Sequence, residues 1–558
     1  METPEIEKEF NLLHEPWIMV KTQSNKTLKC SILEVFQHAH EVQALAGELP
    51  TQDVAIMRLL LAIMHAAFVG YNVADAEDAL ALWQKLWNLK QFPYDTIASY
   101  LGQYEERFWL FHPQYPFYQV ANFETTLNKF RAAKGKKAKD QENIKSVARL
   151  IGDLFQSAHA KRLFAGRNGE QQEVLSYDEA ARWLLHLNGF DDDAAKNPTP
   201  KGVGYLGQLG LIYAQGNNLF ETLMLNFVLL DNRNDLFEDN QAKAKAYWEK
   251  PVCNTVENLI NQPNAQKDLL TMQSRRILLK REHDKVVGYL LTMGDYFDKD
   301  KVLLNEQMTV WKKDEKIGFV PKCYLEKNQP LGNPILEKQM WRDLASIITI
   351  GQGTNNNNLN PGIINWLTIL QDNKIFSRKW IKMCVAGIHY KQKGAGWQVV
   401  DFLNDSLQFN GLLLKDLSKN WIRGIMEALE VTDTAMRGLG RLAVNLMAAE
   451  GNRIEKNKNR DLEPMAIKVR EKGYHQLDAV FRQWLVVLDP QKDELQDKKV
   501  EWLQTVKKII GAEGEKLVDN CSDKVLVGYI KKEKERDVNI NAVGAFNEFK
   551  AGLVKLLG

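Results

Sequence analysis

Apolar residues recur at helical spacing through most of the first 110 residues of the chain. The segments SILEVFQHA, DVAIMRLLLAIMHAAF and DAEDALALWQKLW each repeat apolar side chains about every 3.6 residues, which predicts helices. Ahead of them, FNLLHEPWIMVKT predicts a strand or hook, because Pro16 confines the backbone before Trp17. Residues 107–120 are rich in aromatic side chains and contain prolines, so we expect a packed loop there.

The middle of the chain alternates between strand patterns and loop patterns. Within 272–325, the segments RRILLKRE, KVVGYLLTMGD and MTVWKK carry the alternation and β-branched residues that predict strands. In 196–230, a glycine-rich loop is followed by GNNLFETLML, where Asn217 or Asn218 is expected to cap a helix. The asparagine-rich segment 351–366 is expected to be a loop throughout.

From about residue 404 the pattern changes to long amphipathic spacing with almost no strand signal. The candidate helices are WIRGIMEAL, TAMRGLGRLAVNLMAAEG, MAIKVREKGYHQLDAVFRQWLVVL and KVEWLQTVKKII, with breaks expected at 451–457, 489–490 and 511–514. The sequence therefore predicts a mixed α/β, helix-rich fold. A large N-terminal α+β domain (1–400) is followed by a C-terminal four-helix bundle (401–558).

Composition limits the classes of function. A chain of 558 residues is too long for one ordinary core, which agrees with more than one domain. Its 73 basic and 71 acidic residues give a formal net charge of +2, so any contact with a polyanion must come from local patches. The cysteines are far apart and form no CxxC pair, which argues against a metal site or a disulfide scaffold and fits a reduced cytoplasm.

The termini and apolar runs suggest a cytoplasmic protein without a membrane segment. The N-terminus is acidic and lacks the apolar core of a signal peptide. The most apolar run, 55–71, contains Arg58 and His65, which favours a buried helix over a membrane span. We therefore expect cytoplasmic localisation and no membrane contact.

One segment carries a strong local charge. Residues 129–149 contain eight Lys or Arg residues and two acidic residues, a net charge of +6. Two interpretations stay open at this point, a solvated surface loop and a contact with a polyanion.

The common catalytic motifs are absent from the sequence. There is no GxxxxGK[ST], HExxH or GxSxG pattern. GVGYLG (202–207) fits GxGxxG only by letter, because the preceding NPTPKG reads as a loop where a nucleotide-binding unit needs a strand. The pair His283–Asp284 leaves a metal-dependent nuclease of a defence system as the alternative hypothesis. We expect no catalytic residues and no resident metal.

Three segments together carry a family resemblance. FNLLHEPWIMV near the N-terminus, GNNLFETLMLN (216–226) and TMQSRRILL (271–279), in a chain of this length ending in a helix bundle, resemble the CasA family. This family forms the large subunit of the type I-E CRISPR Cascade complex, and the resemblance covers nearly the whole chain. It implies a non-catalytic subunit of an RNA-guided antiviral complex.

The resemblance also implies partners and a division of labour. CRISPR RNA reads the target by base pairing, while the large subunit inspects the protospacer-adjacent motif (PAM) in duplex DNA and initiates unwinding. The implied partners are double-stranded target DNA, the displaced single strand, the CRISPR RNA-containing backbone, small and crRNA-end subunits, and a helicase–nuclease recruited after R-loop formation. No cofactor is implied.

The clearest residue-level implication is a glutamine wedge in VAGIHYKQKGAGW. The family pattern places a glutamine at the tip of a hairpin after an apolar strand, which corresponds here to Gln392 with Lys391 and Lys393 beside it. Such a wedge replaces stacking beneath the last PAM base pair, and the lysines offset part of the unstacking cost through phosphate contacts. A plain β-turn with no further role is the alternative.

Further implied residues lie in other loops. The glycine loop that approaches the minor groove corresponds to NPTPKGVGYLG, with Lys201, Gly202 and Gly204 as the chosen residues. The family's L1 loop corresponds to KRLFAGRNGEQQ, with Phe164 and Asn168 as the expected contacts.

A lysine that enters the minor groove also belongs to the family pattern. Three candidates stay open for it, Lys280, Lys285 and Lys299.

Overall fold

The structure is a computed structural model of the 558-residue chain. It describes residues 8–558 except for the following positions: 70–72, 140, 153–154, 158–159, 162–166, 168, 193–201, 232–235, 237–243, 254, 261–262, 298–304, 315–317, 322–338, 349–357, 394–395, 416–417, 452–462 and 534–535.

Contacts divide the chain into two compact units. Unit 1 comprises Met1–Met340, Ile350–Ser377 and Ile381–Ser406, and unit 2 comprises Trp341–Thr349, Arg378–Trp380 and Leu407–Gly558. The domain boundary near residue 400 stays a prediction, because a compact unit need not fold independently.

Unit 1 combines helices with several small sheets. Its helices are α1 (Ile32–His38), α2 (Pro50–Phe68), α3 (Ala76–Leu89), α4 (Tyr94–Gly102), α5 (Phe123–Ala133), α6 (Tyr177–Phe190), α7 (Leu219–Asn226), α8 (Gln266–Leu270) and α10 (Gly362–Asp372).

Most strands of this part of the chain are short, and the longer ones are the pairs β11–β12 and β17–β18. They are β1 (Glu9–Asn11), β2 (Ile18–Thr22), β3 (Thr27–Cys30), β4 (Val42–Leu45), β5 (Trp109–Phe111), β6 (Lys145–Ser146), β7 (Phe155–Ser157), β8 (Ala160–Lys161), β9 (Leu211–Gln215), β10 (Asn258–Ile260), β11 (Arg275–Glu282), β12 (Lys285–Met293), β13 (Asp295–Phe297), β14 (Trp311–Asp314), β15 (Gly318–Pro321), β16 (Asn358–Leu359), β17 (Trp380–Lys393) and β18 (Gly396–Asn410).

Two three-stranded sheets matter most for the site described below. One has the order β18-β17-β9, in which β17 runs antiparallel to β9 with Cys384 opposite Tyr213 and Ala386 opposite Leu211. The other has the order β11-β12-β6 and is antiparallel throughout. Both sheets place an apolar face inward, as buried Met383, Val385 and Ile277 show.

Helix α2 lies in the centre of the unit 1 core. It begins with Pro50 at its first turn, a position where the missing N–H costs nothing, and most of its side chains are buried. Among the described residues, it is the helix that is long and apolar enough to cross a membrane, yet 83% of its apolar window is buried inside the protein. That burial is typical of a core helix.

A buried ion pair ties α2 to the segment before β14. Arg58 donates from both terminal guanidinium nitrogens to the Glu306 carboxylate at 3.0 Å, and the two side chains are only 2% and 1% exposed. The Tyr205 hydroxyl donates to Glu306 Oε2 at 3.0 Å, and the Met308 amide donates to Oε1 at 3.1 Å. The carboxylate is therefore hydrogen-bonded on both oxygens, which is what a buried charge requires.

Unit 2 is dominated by a bundle of long helices. Its elements are α9 (Leu344–Ile348), α11 (Lys419–Ala449), α12 (Glu463–Val487), α13 (Leu495–Asp519), α14 (Asp523–Val527), β19 (Tyr529–Glu533), β20 (Arg536–Ile540) and α15 (Ala542–Leu557). Helix α11 packs against α12, α13 and α15, and α13 packs against both α12 and α15. The result is a four-helix bundle in which α14 and a β-hairpin connect the last two long helices.

The mixed, helix-rich fold with a helical C-terminal region is confirmed, while several details differ from the sequence predictions. The two candidate helices at the start of the bundle form the single helix α11, and β19–β20 is a hairpin where almost no strand was expected. The segment 351–366 is not a loop throughout, because α10 begins at Gly362.

The expected break at 511–514 is also wrong, because α13 continues to Asp519. A Cβ atom on Gly514 would lie 2.3 Å from the Phe549 ring of α15. The glycine therefore permits close helix packing and does not end the helix.

We predict that Arg58→Met lowers the free energy of unfolding by about 3–5 kcal/mol, because it leaves the Glu306 carboxylate buried without its partner. Urea unfolding of the full chain measures the change. Lys8→Met is the matched control, since the Lys8–Glu106 pair is exposed and worth less than about 1 kcal/mol. Equal costs for the two substitutions would contradict the assignment.

We also predict an acid sensitivity that depends on His186 at the end of α6. Burial lowers the pKa of His186 to about 3. Below the unfolded-state pKa of about 6.5, the unfolded chain binds a proton that the folded chain does not, so stability falls with decreasing pH by about 1.4 kcal/mol per unit.

The unfolding free energy of the wild type should fall between pH 7 and pH 5 by about 2 kcal/mol more than that of His186→Gln. His283→Gln is the control for the loss of an imidazole, because His283 is exposed and lies outside the core. If His186→Gln retained the full wild-type dependence, the buried neutral state of His186 would be ruled out.

Candidate nucleic-acid interface

The glycine loop lies between the end of α6 and β9. Its described part begins at Gly202, whose backbone has φ = +67°, a left-handed conformation that favours glycine. A short 3₁₀ turn, Leu206–Gln208, follows and leads into Leu211, the first residue of β9. The loop is thus continuous with a strand of the β18-β17-β9 sheet.

A buried arginine fixes this loop to α6. Arg275, the first residue of β11, donates from Nε to Asp191 Oδ2 at 2.5 Å, and both side chains are 2% exposed. Its Nη2 donates to the carbonyl oxygens of Asp191 and Gly202, each at 3.1 Å, and its Nη1 donates to the Ser274 carbonyl at 2.8 Å. One side chain therefore holds the helix end, the loop and the start of β11 together.

Gly204 has a packing reason to be glycine. Its amide donates to the Asp191 carbonyl at 2.8 Å. A Cβ atom at this position would lie 2.3 Å from the carbonyl oxygen of Gly189, which is backbone and cannot swing away. At Gly202, in contrast, the nearest atom to such a Cβ among the described residues would be Trp397 Nε1 at 3.9 Å, so none of them crowds this position.

The β17–β18 hairpin lies beside the glycine loop. The buried Tyr390 hydroxyl on β17 donates to the Phe190 carbonyl at the end of α6 at 2.6 Å. A Cβ on Gly207 would lie 2.8 Å from the same hydroxyl, so this loop residue touches β17 directly. Together with Trp397 on β18 near Gly202, these contacts place the loop against the distal half of the hairpin.

The tyrosines at this junction remain neutral. Burial, followed by the charges of Asp192 and Asp191, raises the pKa of Tyr390 well above its usual value. Burial, followed by Glu306, does the same for the pKa of Tyr205 in the glycine loop. Both hydroxyls therefore act as hydrogen-bond donors that fasten the loop and the strand at any physiological pH.

The sequence-predicted wedge falls at the distal end of β17. The backbone of Lys391, Gln392 and Lys393 belongs to that strand, and β18 begins at Gly396. Gln392 follows Tyr390 by two residues, so its backbone lies near the glycine loop. The structure thus brings together the predicted wedge segment and the predicted glycine loop, although it describes only the backbone of these three residues.

Four other predicted positions lie outside the described residues. They are Phe164 and Asn168 of the L1 loop, Lys201 of the glycine loop and the minor-groove candidate Lys299. Their assignments stay predictions.

The structure does not bring Lys280 and Lys285 to this junction. Lys280 lies five residues after Arg275 on β11, a separation of about 17 Å along an extended strand. Lys285 lies further away, at the turn into β12, where its ammonium is 3.6 Å from the Asp284 carboxylate.

His283 and Asp284, on which the nuclease hypothesis depends, lie in an exposed turn. His283 has φ = +54° between β11 and β12, and the neighbouring Asp284 side chain is 81% exposed. Across the described residues, no group of three or more His, Cys, Asp or Glu side chains could hold a metal ion. GVGYLG ends within the 3₁₀ turn Leu206–Gln208, which leads into β9, whereas dinucleotide binding needs a helix there.

Sequence reasoning missed the residues that build the junction, namely Asp191, Arg275, Tyr390 and Trp397. Arg275 lies inside the TMQSRRILL segment that carried part of the resemblance, so the sequence marked its position without indicating its role. No local sequence pattern indicates the roles of the other three, because their contacts are with residues distant in sequence.

Comparisons with known proteins agree with this architecture. A curated relative, the CRISPR-associated protein CasA/Cse1 of Thermus thermophilus, is 32% identical over 226 residues, which span 40% of this chain and 40% of the relative. The crystal structure of Thermobifida fusca Cse1 has a TM-score of 0.77 at 27% identity, covering 99% of this chain and 98% of that one.

A chain in a structure described as a CRISPR RNA-guided surveillance complex shares the fold. Its TM-score is 0.71 at 16% identity, and the match covers 98% of this chain and 99% of that one. The sequence model of the family described as CRISPR-associated protein Cse1 matches residues 11–512, which is most of the chain. The chain therefore belongs to the CRISPR-associated protein Cse1 family.

Proposed function

We propose that this chain is the large subunit of a type I-E Cascade surveillance complex, in which it recognises the PAM in duplex DNA and initiates target unwinding. Family membership and the neighbour described as an RNA-guided surveillance complex support the assembly. The observation that carries the finer proposal is the junction itself. The glycine loop and the distal end of the β17–β18 hairpin lie side by side. Arg275 holds the loop through the Gly202 carbonyl, and Tyr390 of the hairpin donates to Phe190 at the end of α6.

The glycine loop is proposed to present backbone to the minor groove. No described residue crowds Gly202, and its backbone is left-handed, so its main-chain groups would come within hydrogen-bond reach of base edges. Because the minor-groove code mainly separates A·T from G·C pairs, contacts of this kind would tolerate some PAM variation. The Arg275 anchor would keep the loop in place without reorganisation on binding.

The hairpin is proposed to part the strands. Gln392 would insert beneath the last PAM base pair and replace the stacking that is lost there, at a cost of a few kcal/mol per step. Lys391 and Lys393 would offset part of that cost by contacting backbone phosphates. Proximity to the glycine loop supports this role, because recognition and opening then take place at neighbouring base pairs.

The remaining roles follow from the family and stay proposals. Phe164 and Asn168 would contact the complex or its RNA end, and one of Lys280, Lys285 and Lys299 would enter the minor groove. The bundle would help hold the displaced strand, and the assembled complex would recruit the helicase–nuclease. The subunit itself would be non-catalytic and cytoplasmic.

We predict that Gln392→Ala leaves complex assembly and PAM binding nearly intact but impairs strand separation, since the wedge acts only after binding. Fluorescence of 2-aminopurine placed next to the PAM measures base unstacking in the assembled complex. Adding Lys391→Ala and Lys393→Ala should deepen the defect.

Gln398→Ala, on the partner strand of the same hairpin, is the control and should open target DNA normally. If Gln392→Ala opened the duplex at the wild-type rate, the wedge assignment would be wrong.

We predict that substitutions at the two glycines separate binding from folding. Asparagine tolerates a left-handed backbone, so Gly202→Asn should leave the melting temperature nearly unchanged while its added side chain weakens binding of PAM duplex about tenfold or more. Gly204→Ala should instead lower the melting temperature, because its Cβ meets the Gly189 carbonyl. Unchanged PAM affinity in folded Gly202→Asn complexes would exclude close backbone approach at this residue.

A further inference from the structure

The basic segment after α5 forms an ordered turn that presents four lysines. We name residues 134–139 the lysine turn; each is exposed, and Lys134, Lys136, Lys137 and Lys139 supply its charge. In the part of the chain that the structure describes, no acidic side chain forms an ion pair with any of the four. Lys134 lies over the Phe130 ring at 5.3 Å, and the other three extend into solvent.

A glycine cap shapes the first half of the turn. Gly135 has φ = +68°, its amide donates to the Ala132 carbonyl at 3.0 Å, and the Lys136 amide donates to the Arg131 carbonyl at 2.8 Å. This pair of bonds is the Schellman arrangement that ends a helix and reverses the chain. The direction in which the lysines leave α5 is therefore fixed by backbone geometry.

Side chains of α5 hold the second half of the turn. Asn128 accepts from the Lys139 amide at 3.0 Å and donates to the Lys139 carbonyl at 2.8 Å, closing the turn back onto the helix. Arg131 forms an ion pair with Glu142, and that pair also consumes an acidic side chain that could otherwise have neutralised a lysine. The turn is thus held at both ends while its lysines remain available.

Two simpler explanations cover only part of this arrangement. Cations are favourable at a helix C-terminus, but the effect fades within the last turn and so reaches Lys134 better than Lys137 or Lys139. A solvated loop does not require the hydrogen bonds from Asn128 and the glycine cap that hold this turn. Like charges within six residues also repel one another at physiological salt. A fixed cluster of cations that no described acidic side chain neutralises indicates an anionic partner.

We propose that the lysine turn is a second DNA-binding site of this chain, which contacts the phosphate backbone of duplex DNA without reading its sequence. Lysine is a flexible point charge suited to phosphate contacts, whereas protein interfaces are depleted in it. The turn itself carries no aromatic side chain on which unpaired bases could stack, which disfavours a single-stranded ligand.

The turn belongs to the same unit as the proposed PAM site. The strand that follows it, β6, pairs with β12 so that Ser146 lies opposite Gly288, which in turn lies opposite Lys280 on β11. Two strand spacings and the five residues from Lys280 to Arg275 therefore place Ser146 about 20 Å from Arg275, which anchors the glycine loop. This distance is shorter than one turn of duplex DNA, which is about 34 Å long.

The test measures binding of the purified full chain to a short random-sequence DNA duplex over a salt series. The variant combines Lys136→Gln, Lys137→Gln and Lys139→Gln, which leaves the glycine cap intact. We expect the slope of log affinity against log salt to fall by about 0.9 for each phosphate that the variant no longer neutralises, or about 2.7 in total. The affinity at about 0.1 M salt should fall at least about tenfold.

The matched control removes three exposed lysines elsewhere in unit 1, through Lys26→Gln, Lys85→Gln and Lys90→Gln. A wild-type slope in the lysine-turn variant, or an equal reduction in the control, would overturn the proposal. So would a larger reduction for single-stranded RNA than for duplex DNA. Gln392→Ala should keep the full salt slope, so failure of the proposed wedge and failure of this site are distinguishable.

Discussion

The buried ion pair between Arg275 and Asp191 is the constraint on which the candidate site depends. Removing two charges from water is costly, and the cost is offset only when the remaining donors and acceptors are also satisfied. Here the guanidinium finds its further acceptors in the carbonyls of Ser274, Asp191 and Gly202. If the glycine loop left this position, the buried Arg275 guanidinium would lose the Gly202 carbonyl as an acceptor, so this hydrogen bond preorganises the loop.

The end of α6 extends the same constraint to the hairpin. The last carbonyls of a helix have no partner within the helix and must be satisfied from outside. At α6 the Asn188 carbonyl accepts from the Ser274 hydroxyl, the Phe190 carbonyl from Tyr390, and the Asp191 carbonyl from Gly204 and Arg275. The C-terminal cap of one helix is therefore built from three segments, which are the start of β11, the hairpin and the glycine loop.

Local features of this fold were predictable from sequence, and long-range ones were not. Asn218 caps α7 by accepting from the Glu221 amide, as the spacing of polar and apolar residues predicted, because both groups are neighbours in the chain. The partnership of Arg275 with Asp191 joins residues 84 positions apart, and no periodicity encodes it. Gly514 shows a third case, in which the residue was noticed but its helix-packing role was mistaken for a helix break. Family resemblance predicted the glycine-loop and wedge segments, while the reason these two segments lie together came only from the packing.

Glycine content alone is weak evidence for a nucleic-acid loop, and the structure shows why. Gly204 is required because Gly189 backbone occupies the space of its side chain, and Gly202 is favoured by its left-handed backbone. Either requirement would favour glycine at its position even in a protein that does not bind DNA. What distinguishes Gly202 is that no described residue crowds it, combined with lysines at 201, 391 and 393 in the sequences of the loop and the hairpin. In a chain of net charge +2, lysines in the sequences of two neighbouring segments are a more specific indication of phosphate binding than the glycines themselves.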